Sequence, residues 1–254
     1  MRILVTFAVE AEFAPWRKLR RFVKTSNANP KFPEATASFQ TEVAAHHVEV
    51  ALTGIGKACC ERIFNDKRFP SMKPDVVISS GLAGALRETL QTGDLVVARK
   101  SRTLLNDANV DTDPLLLERA SEQGAIPIET LITVDRIVPT AEEKARLAFF
   151  GQAVDMESAL ILANFGNLGI PVLALRAISD AANEDLPLDF DRCLTPQGGI
   201  KPMNLINQIV RRPGNLPNLV RFGRQSHQAA QKLVEFLDNF LPTIPVTVAG
   251  VVKA

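Results

Sequence analysis

The 254-residue chain carries almost no net charge: 29 lysines and arginines stand against 28 aspartates and glutamates, which leaves +1 with histidine neutral. Nucleic-acid binders depend on cations that displace counterions from phosphates, and no run of five or six like charges supplies even a local arm. Nucleic acid is therefore not expected as a partner. Cysteine is also sparse. Cys59, Cys60 and Cys193 are odd in number, two are adjacent, and none has Cys-x-x-Cys spacing, so neither a disulfide framework nor a zinc site is indicated and a reducing cytoplasm fits best. Nothing approaches the roughly 18 consecutive apolar residues of a membrane span. The apolar run at 3–9 meets Glu10 and Glu12 with no cleavage pattern after it, so it reads as a first strand rather than a secretory leader. Internal repeats and low-complexity tracts are missing too.

What remains is an ordinary folded composition, 46% hydrophobic and 22% charged, which excludes disorder and provides enough chain for one α/β domain with a sizeable core. The domain is expected over residues 1–241, with a C-terminal tail at 242–254. Short β-branched runs alternate with helical patterns, as in a mostly parallel sheet covered by helices. Strands are expected at residues 3–8, 37–43, 48–53, 76–80, 94–98, 130–138, 153–156 and 172–178. Asp113 before Pro114 predicts a capped helix start, and Thr140 with Glu143 three residues on predicts a capping box. A last amphipathic helix is expected over 225–241. Between 185 and 217 the prolines and glycines break any long element, predicting an extended excursion, either a lid or partner surface or a plain solvated connection.

Ligands of open α/β sheets bind beyond the carboxyl ends of the strands. The residues there are Glu10 and Glu12 after the first strand, Ser79-Ser80-Gly81-Leu82-Ala83-Gly84 after the fourth, Asp155-Met156-Glu157 after the seventh and Ser179-Asp180 after the eighth. A strand, an apolar helix and a strand over 153–180 predict a right-handed crossover between parallel strands, with Glu157 and Asp180 on one edge. An acid after a single strand is ordinary, since Asp and Glu are common helix caps and first-turn residues. Several acids gathered beside glycines, with no His or Cys to complete a metal site, favour acid–base work on a neutral or cationic substrate, and paired carboxylates are the usual instrument of glycosidic cleavage. Thr53-Gly54-Ile55-Gly56-Lys57 lacks the spacing of a triphosphate loop or a dinucleotide fingerprint. His46 and His47 are adjacent on a strand and point to opposite faces, and His227 is expected at the surface. No Ser, His and Asp arrangement suggests a nucleophile elbow.

These residues together resemble the nucleoside phosphorylase and nucleosidase superfamily. The strongest motifs are Ala153-Val154-Asp155-Met156-Glu157-Ser158 and Arg176-Ala177-Ile178-Ser179-Asp180-Ala181-Ala182, supported by Ala8 to Glu12, Thr53 to Lys57, Ser80 to Gly84 and Gly93-Asp94. Glu10 to Glu12 is similar to the methylthioadenosine and S-adenosylhomocysteine nucleosidases. Val134 to Val138, Asp155 to Ser158 and Arg211-Arg212-Pro213-Gly214-Asn215-Leu216-Pro217 look more like the hopanoid-associated phosphorylases, which act on an adenosyl-lipid. The resemblance implies a three-layer α/β/α fold with a mixed central sheet, a homodimer, a small nucleoside substrate, no cofactor and no metal.

The resemblance also implies roles. Asp180 protonates or hydrogen-bonds the purine N7, assisted by Ser179; Glu157 accepts hydrogen bonds from the ribose hydroxyls, with Met156 under the sugar and Asp155 behind; Glu12 orients and deprotonates the attacking water; Gly81 lies in the substrate site and Val138 where the family contacts the base. Ile137 stands where nucleosidases commonly stack a Phe on the purine. The phosphorylases' Gly-x-x-Arg and Arg-x-Gly-Ser phosphate turns have no counterpart at Phe7 to Glu12 or Ser79 to Leu82, and a carboxylate at Glu12 would repel a phosphate dianion. Hydrolysis of a 5′-substituted adenosine is therefore the leading expectation, with phosphate-dependent cleavage and a non-catalytic nucleoside-binding protein as alternatives.

Overall fold

Along the first strand, β1 (Arg2–Phe7), side chains alternate between two interiors: Ile3, Val5 and Phe7 enter one apolar cluster and Leu4 enters another. A strand buried on both faces must be covered on both. The computed structural model of this chain describes residues 1–25, 37–65, 69, 73–104, 109–193, 195 and 213–246. Within it α1 (Glu10–Leu19) and α3 (Pro114–Glu122), with the long C-terminal helix α6 (Leu216–Phe240), pack on the first face, and α2 (Lys57–Phe64) and α5 (Ser158–Gly166) on the second. This is the expected three-layer α/β/α arrangement. A sixth, shorter helix, α4 (Ala141–Leu147), lies beside the site described below.

The remaining strands are β2 (Val23–Lys24), β3 (Ser38–Val43), β4 (His46–Leu52), β5 (Val76–Ala85), β6 (Leu95–Thr103), β7 (Asn109–Asp111), β8 (Ile126–Thr133), β9 (Ala153–Asp155) and β10 (Val172–Asp180). Their order is β10-β6-β8-β9-β5-β1-β4-β3-β2, with β7 on β6 and a further pairing of β10 with β5. That last pairing closes β5, β10, β6, β8 and β9 into a ring, from which β1, β4, β3 and β2 extend as an open wing. The sheet is mixed: β1 runs parallel to β4 and β5, and β10 parallel to β5, whereas β9 is antiparallel to β5 and β10 antiparallel to β6.

Four expectations need correction. β5 runs on to Ala85 instead of ending at 80, because its pairing with β10 continues to Gly84, so Ser79 to Gly84 lie within the strand and not after it, and Ser179-Asp180 likewise close β10. The segment 153–180 is not a crossover between parallel strands, because β9 and β10 pair with opposite sides of β5 in opposite directions: Gly84 is matched with Val154 on one side and Asp180 on the other. The strand expected at 130–138 is Ile126–Thr133, because residues from 126 onward register in parallel with β6, and 134–140 turn away as a loop. The last helix begins at Leu216, nine residues before the expected start. Pro217 lies in its first turn, where a missing N–H costs no hydrogen bond, so the proline that seemed to break structure starts it. The short strands β2 and β7 were not anticipated.

Both predicted caps form on the N-terminal side. Asp113 Oδ1 accepts from the amides of Leu115 and Leu116 at 3.0 Å, and Thr140 Oγ1 accepts from Glu143 N at 3.2 Å. The Glu143 carboxylate pairs with Arg136 instead of returning to the cap. All three cysteines are free and buried, His47 pairs with Glu42 at 2.6 Å, and His227 is exposed. Among the described residues no helix is long and apolar enough to cross a membrane. Ile244, beyond α6, is buried in the core; residues 247–254 of the expected tail, 211–212 of the arginine-rich motif and most of 194–212 in the excursion lie outside the described residues.

α6 anchors the first face. Leu233, Val234, Leu237 and Phe240 are fully buried, and Asp238 accepts the Trp16 indole N–H at 2.9 Å and pairs with Arg20, which fastens α6 to α1. Leu233→Ala removes a side chain from a closed core and should destabilise the protein by about 2–5 kcal/mol, read as a lowered urea midpoint at unchanged secondary structure. An unshifted midpoint would remove α6 from the core.

Candidate active site

Glu12 sits in the third position of α1, and its carboxylate reaches back to the chain entering the helix. Oε2 accepts from Ala8 N at 3.0 Å and Val9 N at 3.4 Å, as a capping glutamate does. Capping does not account for its other oxygen: Oε1 accepts from Leu82 N at 2.9 Å, from β5, 70 residues away. The approach is close enough that a Cβ on Gly81 would stand 3.1 Å from that oxygen, and Gly81 holds φ +146°, a conformation suited to glycine. Gly81 therefore serves the site by letting β5 meet Glu12. Burial raises the Glu12 carboxyl above the ordinary carboxylate range, against the Leu82 amide, Arg176 and the amides of Val9 and Ala8, all of which favour the charged form.

Glu157 immediately precedes α5, yet its side chain makes no capping bond. It turns instead to the loop after β4, where Oε1 accepts from Gly56 N at 2.7 Å. Gly56 has φ +84°, and the Met156 methyl lies 3.4 Å from where its Cβ would be, so Met156 and Glu157 both border this loop. Loop and β1 are stitched together by Thr53 N to Phe7 O and Gly54 N to Ala8 O, each 2.9 Å. Burial, reinforced by the negative charge of Asp155, pushes the Glu157 carboxyl up to about 8, with the Gly56 amide and Arg176 opposing and Glu12 adding to the rise.

The α5 terminus is capped by Asp155. Its Oδ2 accepts from Ser158 N at 3.0 Å and from Arg176 Nη2 and Nε at 2.7 and 3.0 Å; its Oδ1 accepts from Thr133 Oγ1 at 2.7 Å. Thr133 in turn accepts from Ala159 N at 2.9 Å, and Arg176 also donates to Ser79 Oγ at 3.0 Å and to Leu175 O. Asp155 thus stands behind the site with every oxygen committed.

At the end of β10, Ser179 Oγ lies 2.6 Å from Asp180 Oδ1 and 3.2 Å from Ala83 O. Asp180 Oδ2 pairs with Lys144 Nζ at 2.6 Å and lies 3.0 Å from where a Gly84 Cβ would be. Gly81 and Gly84 are three residues apart on β5, about 10 Å of extended strand, so Glu12 and Asp180 approach one strand at separate points. Val138 packs with Leu86, Ile132 and Val154 and also lines, with Thr133, Val134 and Leu147, a cavity of about 300 Å³. The loop that carries it is held by the start of the excursion: Ile137 N donates to Asp191, Ala141 N to Asp185, and Leu186 N to Pro139 O.

Arg176, Thr133 and Lys144 were not singled out in the sequence. Arg176 lay within a recognised motif, and an arginine in the middle of an otherwise apolar strand was the available signal. Lys144 gave none, since a lysine among Glu142, Glu143 and Arg146 reads as solvent-facing. Among the described residues no three His, Cys, Asp or Glu side chains are arranged to hold a metal ion.

Comparison with known proteins agrees with this architecture. The family model described as the phosphorylase superfamily matches residues 2–209. Among curated relatives, the 5′-methylthioadenosine/S-adenosylhomocysteine nucleosidase of Staphylococcus epidermidis is 29% identical over 176 residues, 59% of this chain and 76% of that protein. The nucleosidase of the same name from a Shewanella species is 28% identical over 196 residues, 66% of this chain and 84% of its own. Of solved structures, the Campylobacter jejuni enzyme of that name superposes with a TM-score of 0.71 at 20% identity, covering 96% of this chain and 100% of its own. The futalosine hydrolase of Helicobacter pylori does so with 0.71 at 19%, covering 96% and 98%. With a family model spanning most of its length and the same fold in both solved structures, the chain belongs to the phosphorylase superfamily.

Proposed function

We propose that this protein is a purine nucleosidase that hydrolyses the bond between base and ribose in a 5′-substituted adenosine, such as methylthioadenosine or S-adenosylhomocysteine. The observation that carries the reading is that Glu12, Glu157 and Asp180, from separate parts of the chain, are each buried beside β5 or the loop after β4, and each makes a contact that helix capping does not require. The names of the curated relatives point to the same substrates.

Cleavage leaves positive charge on the sugar and negative charge on the purine, and an enzyme gains rate only from contacts that strengthen as those charges develop. Asp180, with Ser179 on its Oδ1, delivers a proton or hydrogen bond to N7 of the departing base, an effect worth roughly 10²- to 10⁴-fold. Glu157 accepts hydrogen bonds from the ribose hydroxyls, and Met156 packs under the sugar. Glu12, aimed by three backbone amides, orients water and takes its proton. Gly81 leaves the space between β5 and that carboxylate clear, Val138 borders the base through its loop, and Asp155 with Arg176 holds Glu157 from behind. A carboxylate at Glu12 favours water over phosphate, because a dianion would meet its charge in a buried setting. The catalytic unit is one domain over residues 1–241, against whose core Ile244 of the following segment packs. It works in the cytoplasm, which suits three free thiols, and as a homodimer, which suits the exposure of Phe149 and Phe150 after α4.

Base release from methylthioadenosine, S-adenosylhomocysteine, inosine and an adenosyl-lipid, assayed with and without phosphate, tests the proposal: adenine should appear from the first two in phosphate-free buffer, and strict phosphate dependence would make the protein a phosphorylase. Glu12→Gln should lower kcat by at least about 10²-fold with the fold intact by circular dichroism; near-normal turnover would reject Glu12 as the base. Because Glu12 and Glu157 are both raised and act as carboxylates, the rising limb of kcat/KM against pH should lie above the ordinary carboxylate range, and a falling limb should follow where Asp180 can no longer deliver its proton. A profile already flat at pH 5.5 would show that neither raised group governs the rate.

A further inference from the structure

Lys144 is the fourth residue of α4, a helix whose other basic residue in its last turn, Arg146, is exposed and pairs with Glu142. Lys144 itself has no exposed surface. Taking an ammonium out of water costs several kcal/mol unless its hydrogens find acceptors, and here all three do: Asp180 Oδ2 at 2.6 Å, Ala181 O at 2.8 Å and Glu184 O at 2.8 Å. Three donors matched by three acceptors is the full complement of a charged lysine. The three acceptors lie at and just beyond the end of β10, so one side chain ties the carboxylate of Asp180 to the turn that leads into the excursion.

From this geometry we infer that Lys144 is a positioning residue for departure of the purine, acting through Asp180; the inference rests on the nucleosidase reading above. Oδ2 is held in the ion pair with Lys144, so Oδ1 is the oxygen that takes a proton from solvent and passes it to the base. The Ser179 hydroxyl has one hydrogen and two acceptors in reach, Oδ1 and Ala83 O, so when Oδ1 is protonated the hydroxyl turns to Ala83. In the reaction the proton leaves Oδ1 and bonds to N7, the electron pair of the glycosidic bond goes to the base, the water oxygen bonds to the sugar carbon, and the water's proton goes to Glu12. Asp180 is left as a carboxylate at that moment, and the Lys144 ammonium 2.6 Å away stabilises the charge that has just formed. Solvent then returns a proton to Asp180 and takes one from Glu12, which resets both carboxyls. Lys144 thus contributes to the transition state without touching substrate.

The test is a mutant cycle on 5′-methylthioadenosine with Lys144→Met, Lys144→Arg, Asp180→Asn and the double variant Lys144→Met/Asp180→Asn, each checked for folding by circular dichroism and for binding of free adenine. Lys144→Met should lower kcat by about 10²-fold or more with KM changed by only a few fold, Lys144→Arg should regain part of the rate by restoring the cation, and the double variant should be no slower than Asp180→Asn alone, since both changes remove one device. Should Lys144→Met not fold because Asp180 is left without its cation, the double variant, which carries no buried charge at this place, still gives the comparison with Asp180→Asn. Losses that multiply in the double variant, a loss confined to KM, or near-normal turnover in Lys144→Met would overturn the inference. Wild-type protein that releases no base would overturn the nucleosidase reading, which is seen before any variant is compared.

Discussion

The buried pair between Asp155 and Arg176 is the joint on which the site depends. Arg176 comes from β10 and Asp155 from β9, and through Thr133, Ser79 and Ser158 their hydrogen bonds reach β8, β5 and the first turn of α5. Five elements therefore meet at two side chains, each almost without exposure. A pair of this kind adds little net stability compared with apolar packing, but losing one partner leaves an uncompensated charge at a cost of about 3–5 kcal/mol. Its use is geometric. Because Asp155 caps α5, the carboxylate of Glu157 is released from that duty and can turn to the Gly56 loop.

The same joint tempers an otherwise costly concentration of acids. Glu12 and Glu157 are both buried, and each is held by backbone N–H groups and faces the field of Arg176. Those contacts reduce the penalty of burial without cancelling it, so both carboxyls stay raised and Glu157 reaches about 8. Asp180 is treated differently, with a full cation at contact distance. Three carboxyl groups of nearly identical intrinsic chemistry thus acquire three environments: amide-held beside β5, amide-held beside the β4 loop, and ion-paired at the end of β10. Such separation of environments is what permits acids of one type to divide the work of a reaction.

Glycine marks the places where backbone must come close. Gly81 and Gly84 on β5 adjoin the carboxylates of Glu12 and Asp180, and Gly56 donates to Glu157. A methyl group at Gly81 would contest the space Glu12 fills, in a backbone conformation that side chains disfavour. The glycines read in the sequence beside the gathered acids are thus, first, the surfaces against which those acids are set.

Much of this was legible from local chemistry. The alternating and β-branched runs located eight strands, the Asp113 and Thr140 caps placed two helix starts, and the polar residues after strands named Glu12, Glu157 and Asp180, because each signal resides in a few neighbouring residues. What local pattern does not contain is partnership. The ring closed by β10 on β5, the opposed directions of β9 and β10, and the two- and three-residue strands β2 and β7 depend on pairings between segments far apart in the chain. Lys144 is the plainest case: in its own helix it reads as one more charged surface residue, and only the arrival of β10 and the turn after it, some 40 positions later, converts it into a buried cation. The sequence by itself determined which side chains were available and the local elements that carry them; tertiary structure decided which charges were taken out of water together, since burial and proximity arise only when distant segments meet.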